Sequence, residues 1–286
     1  MTQNSQPSLH SSERHADQPL VDSHVHVFTR YMPVLADARH RLDYDFTYND
    51  LIETLDTHGV RFAVIAAGSP WGDYNDYTLE ALRAHRDRLR GTIICKPTTE
   101  RAVLEAMAED GVVGVRLPFF SLKQKPDITT FEYRRFLRRL ADLDWHVHLH
   151  TEEENLPALL PTLEASGVRI VIDHLGRPNP HSGINGVGFR TMLRSLETGR
   201  LWVKFSGAYR VGASASACAQ ELLRVAGPDR LVWASDCPFA GYESSLTYRS
   251  AIDWLIQTVP DRFARAKIFG ETARHLYFGR NAKVAA

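Results

Sequence analysis

Eight short runs rich in β-branched and aromatic residues alternate with eight amphipathic segments, and this alternation predicts a single closed parallel (β/α)8 TIM barrel of the α/β class. Two further observations agree. The runs begin about 20 to 40 residues apart, the length of one strand–helix unit. Gly59, Gly111, Gly167 and Gly227 each stand between a helical stretch and the next run, where a helix-ending glycine belongs. No GxGxxG follows an early strand, which argues against an open dinucleotide-binding sheet.

In chain order the predicted strands are 20–26, 61–66, 89–95, 113–117, 145–150, 169–173, 201–206 and 231–235. The predicted helices are 50–58, 76–85, 100–110, 131–143, 156–166, 189–198, 216–226 and 248–259. In the first helix Leu51, Ile52 and Leu55 form the apolar stripe that a period of 3.6 requires. Residues 1–18 are polar and lack an apolar signal-peptide core, so a flexible tail is expected ahead of a barrel spanning 19–286.

Composition excludes several classes. The 286 residues are 44% hydrophobic, too apolar for a disordered chain. Lys and Arg number 34 against 34 Asp and Glu, which leaves no basic footprint for nucleic acid or an anionic membrane. The apolar stretch 62–67 is far shorter than the roughly 20 residues of a membrane span. Cys95, Cys218 and Cys237 form neither a CxxC metal motif nor a disulfide framework, as expected of a reduced cytoplasmic protein. A small-molecule partner is expected. Whether copies of the chain associate into a homo-oligomer is not legible.

In such a barrel the chemistry sits at the C-terminal strand ends. The first strand ends Asp22-Ser23-His24-Val25-His26, and alternation puts His24 and His26 on one face, about 7 Å apart along the strand. The pair reads either as two ligands of one ion or as hydrogen-bonded polar residues at the mouth. The fifth strand carries His146, His148 and His150 on one face, with His150 at the rim and His146 deepest. The sixth ends at Asp173-His174 and the eighth at Ser235-Asp236. Four strand ends that each deliver His or Asp are hard to explain by packing, because buried ionisable groups are costly unless paired or ligated.

The segments DSHVHVF, VIDHLGRP, WVKFSGAYR and LVWASDCPF together resemble the amidohydrolase superfamily. Within it the chain resembles the amidohydrolase-2 branch, which contains 2-pyrone-4,6-dicarboxylate lactonase, sulfomuconolactone hydrolase and sugar lactonases. The resemblance runs from about Leu20 to Tyr277. It implies a catalytic set of His24, His26, His174 and Asp236, and a metal set of His24, His26, His150 and Asp236. The bridging Lys of two-metal relatives is absent from Val115-Arg116-Leu117, so at most one divalent ion is expected, with Zn²⁺ the natural candidate for N and O donors. Metal-independent catalysis stays open, because pyrone lactonases of this branch work without an ion.

The mechanism so implied is lactone opening. Asp236 activates water, His24 and His26 hold the ion or polarise the carbonyl, and His174 stabilises the oxyanion. Arg116 and Arg210 are candidates for a substrate carboxylate. Ser69, Trp71, Asn75, Ser206, Tyr209 and His148 complete the expected substrate-binding set. Lys204 is either an ion-pair member inside the barrel or a ligand. Two rivals share the scaffold: a metal-dependent decarboxylase of an aromatic or muconate acid, and a non-catalytic binding barrel.

Overall fold

A computed structural model describes residues 17–279. The expected tail therefore lies, but for its last two positions, outside the described residues. The chain runs β1 (Val21–Val25), α1 (Tyr48–Thr57), β2 (Phe62–Ile65), α2 (Asp76–Ala84), β3 (Leu89–Ile93), α3 (Arg101–Glu109), β4 (Val112–Pro118) and α4 (Phe131–Asp142). It continues with β5 (His146–His150), α5 (Leu156–Ser166), β6 (Arg169–Ile172), α6 (Val187–Leu196), β7 (Leu201–Phe205), α7 (Ala215–Ala226), β8 (Leu231–Trp233) and α8 (Tyr248–Thr258). The strands form one sheet in sequence order, and every ladder is parallel. This is the barrel the sequence predicts. No described helix is long and apolar enough to cross a membrane.

Local chemistry sets the elements. Thr47 and Asp50 make a reciprocal capping box at the start of α1, and Leu51 and Leu55 are its buried face. On α4 the buried residues are Phe136, Leu137 and Leu140, while Arg134, Arg135 and Arg138 lie on the remaining surface. Gly167 ends α5 in the left-handed conformation. Gly114 lets β4 approach β5, because a Cβ there would lie 2.4 Å from the His146 carbonyl oxygen. The main core fills the layer between strands and helices.

Two features lie beyond the sequence reading. After α8 the chain adds a helix Arg262–Ala266, a π-turn Lys267–Glu271 and a last helix Thr272–Phe278. Ala273, Leu276 and Tyr277 of that helix pack with Val21, Val64, Val171 and Val232 and close the N-terminal end of the barrel. Second, β8 and β1 share no regular ladder. They meet through the parallel bridge Val25↔Cys237, with Asp236 N donating to the His24 carbonyl at 3.0 Å and His26 N to the Cys237 carbonyl at 2.9 Å.

Side chains finish this seam. Asp22 Oδ1 accepts from the amides of His24 (3.2 Å) and Ser235 (3.0 Å), and Oδ2 from the hydroxyls of Ser235 (2.5 Å) and Tyr248 (2.7 Å). Burial raises the Asp22 carboxyl to about 6.

Candidate active site

The expected groups all come from strand ends or the residues just beyond them. β1 supplies His24 and, one residue past its end, His26; His174 follows β6 and Asp236 follows β8. The backbone turns sharply at these points, with φ of 52° at His174, 58° at Leu175, 49° at Arg177 and 69° at Asp236. The left-handed region costs a non-glycine residue about 1 kcal/mol or more. The turns aim the side chains back over the mouth.

His24 Nε2 and His26 Nε2 are 3.2 Å apart and lie 3.6 and 3.5 Å from Asp236 Oδ1. His26 Nδ1 donates to the Ala66 carbonyl at 2.7 Å, which leaves its Nε2 facing Asp236 Oδ1 and His24 Nε2. Contacts this close need a hydrogen or a cation between the atoms. The spacing also suits an ion: ligands held tetrahedrally at about 2.0–2.2 Å stand roughly 3.3–3.6 Å apart. His24, His26 and Asp236 are therefore a donor set that fits one divalent metal.

Asp236 has one engaged oxygen and one available. Oδ2 accepts from Tyr209 OH at 2.6 Å and Arg210 Nε at 2.7 Å; Oδ1 faces the two imidazoles. Burial alone would raise this carboxyl, but the Arg210 guanidinium bonded to it outweighs that effect and holds it well below the usual range. Asp236 is thus ionised at neutral pH. His174 is the opposite case, since burial pushes it down to about 3 and leaves it neutral. Its Nδ1 pairs with Ser206 Oγ at 2.9 Å and its Nε2 stands 4.0 Å from Asp236 Oδ2. Gly207 makes room for that ring: its φ is 60°, and a Cβ there would be 2.7 Å from His174 Nδ1.

Beneath these groups lies a buried ionic floor. Lys204 Nζ reaches His24 Nδ1 at 3.0 Å, His148 Nδ1 at 2.9 Å and Asp173 Oδ1 at 3.1 Å. Burial lowers this ammonium to about 8. Asp173 also takes Arg116 Nε at 3.1 Å and stands 3.4 Å from His24 Nδ1, an arrangement that orients the ring. A second group, His24, Asp173 and His174, has ligand atoms almost as close, but Lys204 and Arg116 already neutralise its carboxylate.

The pocket above is lined by His26, His174 and Asp236 together with Ser69, Trp71, Arg116, His150 and Arg210 of the expected set. His150 belongs to neither donor group. Its ring lies flat on Phe120, with centroids 4.9 Å apart and planes 10° apart, and its Nδ1 is 3.3 Å from Arg116 Nη2. Asn75 is engaged elsewhere, since its amide bridges the Asp73 and Ile94 carbonyls and its oxygen takes the Ile94 amide. His148 lies in the floor, Ser206 behind His174, and Tyr209 on Asp236. Lys204 proves to be the ion-pair member.

The sequence reading passed over Asp173, Phe120, Arg39 and Arg177. Asp173 had a signal, for it immediately precedes His174 at a strand end. Phe120 and the two arginines lie in loops, where no periodicity reports direction.

Comparison with known proteins places the chain in a family. The sequence model of a family described as amidohydrolase matches residues 21–279. The chain is 26% identical over 281 residues to a 4-sulfomuconolactone hydrolase of Hydrogenophaga intermedia, covering 92% of this chain and 90% of that protein. It is 30% identical over 230 residues to a 4-sulfomuconolactone hydrolase of Rhizobium radiobacter, covering 77% and 76%. A solved structure described as a probable 2-pyrone-4,6-dicarboxylic acid hydrolase from Acinetobacter baumannii, with citric acid bound, superposes with a TM-score of 0.86. It is 32% identical and the match covers 91% of this chain and all of that one. With the family match spanning the barrel and its mouth holding the histidine–aspartate cluster, the chain belongs to the amidohydrolase family.

Proposed function

We propose that this enzyme hydrolyses the ring ester of a small carboxylated lactone. The observation that carries the reading is Asp236, ionised, with Oδ2 fixed by Tyr209 and Arg210 and Oδ1 aimed at the His24–His26 pair inside a lined pocket. The relatives named for hydrolysis of 4-sulfomuconolactone and 2-pyrone-4,6-dicarboxylate are of this class.

In this mechanism Asp236 Oδ1 takes a proton from the attacking water as it adds to the ester carbonyl. Neutral His174, its Nδ1 facing Ser206, donates from Nε2 to the oxyanion that develops. The acyl–oxygen bond then breaks, and the proton held on Asp236 passes to the departing ring oxygen. Each turnover yields one hydroxy acid, and its new carboxyl releases one proton. His24, His26 and Asp236 would hold a divalent ion, Zn²⁺ by donor type, which when bound supplies Lewis acidity at the carbonyl. Ser69, Trp71, Arg116, Arg210 and His150 form the substrate wall in this proposal, and residues 19–279 make one catalytic barrel, the rest of the expected span to 286 lying outside the described residues. The three thiols are unpaired, in keeping with a reducing, cytoplasmic setting.

The test is a pH-indicator screen of purified protein against carboxylated and neutral lactones, with metal analysis of the same sample. Acid release with carboxylated lactones is expected. Evolution of CO₂ from aromatic or muconate acids, or no ring opening of any lactone, overturns the reading.

A further inference from the structure

Between the ends of β7 and β8 and helix α8 lies a second cavity, of about 150 Å³. None of the residues that line it lines the pocket over Asp236. Its apolar wall comes from Ala208, Ala234, Phe239, Leu246, Ala251 and Trp254, and no charged side chain borders it. Four hydroxyls do, and each proton is already committed. Ser206 Oγ faces His174 Nδ1, Ser235 Oγ donates to Asp22 Oδ2, Ser250 Oγ to the Thr247 carbonyl and Tyr209 OH to Asp236 Oδ2. The space therefore offers an occupant apolar contact and no hydroxyl donor.

Interiors are packed like organic crystals, so a void of this size stands out. An apolar cavity of about 150 Å³ stays dry and takes up a benzene ring. Ser250 is exposed, with Leu246 and Ala251 half-buried, so the cavity is reached from the α8 side. What sets it apart is its position. Ser206, Ser235 and Tyr209 each border the cavity and bond a residue of the active site or of the seam beneath it. Tyr209 is packed on Tyr242, ring centroids 4.8 Å apart, and borders empty volume as well. That volume gives its ring room to leave Asp236, and an occupant takes the room away.

We propose that this cavity is an effector site for an uncharged molecule built on a single aromatic ring, whose occupant acts by holding Tyr209 against Asp236. A charged ligand is refused, because nothing on the wall meets its charge. The consequence for turnover rests on the lactone reading; the binding and its link to Tyr209 do not.

Fluorine NMR titration of the full chain with fluorobenzene, and with 4-fluorobenzoate as the charged control, tests this. Fluorobenzene is expected to bind with a dissociation constant of about 1 mM or tighter. Ala251→Leu, whose added carbons enter the void, should weaken it about tenfold and leave any binding of 4-fluorobenzoate unchanged. Tyr209→Phe, whose ring is released from Asp236 and competes for the void, should weaken fluorobenzene about threefold. On an active lactone, saturating fluorobenzene should raise kcat about twofold with little change in KM, and Ala251→Leu should no longer respond. If Ala251→Leu lowers the unfolding midpoint sharply, Leu246→Phe, which fills the same void from the loop, decides the matter. No fluorobenzene binding at millimolar concentration, or full binding in the filled variants, overturns the site. Equal binding in Tyr209→Phe, or an unchanged kcat at saturation, overturns its effector role. A chain that shows the binding pattern but opens no lactone defeats the lactone reading alone; one that opens lactones and ignores fluorobenzene defeats the effector site alone.

Discussion

The barrel has two seams of opposite construction. Between β4 and β5 the register is unbroken from Gly114↔His146 to Pro118↔His150, and Val115, Val147 and Leu149 are fully buried there. Between β8 and β1 one bridge replaces the ladder, and Asp22 ties Ser235, Tyr248 and His24 instead. The ladder seam holds shape. The stitched seam holds shape and also frees the strand ends to turn, which is how His24, His26 and Asp236 meet. Where the backbone gives up regular pairing, side chains take over closure, and catalytic groups can be aimed from the same few residues.

This contrast predicts a separation of effects. Asp236→Asn should lower kcat on an active lactone about a thousandfold or more while the thermal midpoint stays close to wild type, because it removes the base of the proposed mechanism and keeps the shape. A near-normal rate would detach the stitched seam from the chemistry. Asp22→Ala should cost about 3 kcal/mol in urea unfolding and slow turnover as well, since it leaves Ser235 and Tyr248 without their acceptor and lets Asp236 drift.

On the ladder side the effects should fall on stability alone. His146 is fully buried with neither ring nitrogen partnered, and burial holds it neutral, well below the ordinary imidazole range. The unfolded chain takes up a proton there below about pH 6.5 that the folded chain refuses, so stability is lost as pH falls through that range. His146→Leu should therefore stabilise the protein more at pH 5 than at pH 8, by about 2 kcal/mol, as read from urea midpoints at both pH values. No difference would mean that water or a proton already serves that nitrogen. Smallest of all, Val147→Ala should cost about 1.5 kcal/mol and leave kcat within about twofold. A large loss of rate there would show that the two seams are mechanically coupled.

Much of this was legible in the chain. Periodicity and helix-ending glycines place all eight strand–helix units, and the strand-end rule brings forward His24, His26, His174 and Asp236, which do converge. Predicted strands overran at His26, Ala66, Asp173, Ser206 and Ser235, where the peptide turns to serve the site rather than the ladder, and at Cys95, which lies outside it. The closing helix Thr272–Phe278 follows no strand and so escaped a reading built on alternation. Lys204 was undecidable because its partners His24, His148 and Asp173 arrive from three other strand ends, and no local pattern reports that meeting. His150 shows the limit of alternation as a guide. It reaches the rim as expected, yet packs on Phe120 and faces Arg116.

Gly207 has a wider meaning for how this enzyme can change. The bare peptide at that position is itself the wall behind His174, and even one methyl group would intrude on the imidazole. Drift can enlarge or recolour the rim, where Arg39 and its loop neighbours sit, without touching this clearance. New specificities are therefore reachable from the outside inward, while the strip behind the His174 ring offers evolution no graded path: it keeps its emptiness or loses the ring's alignment.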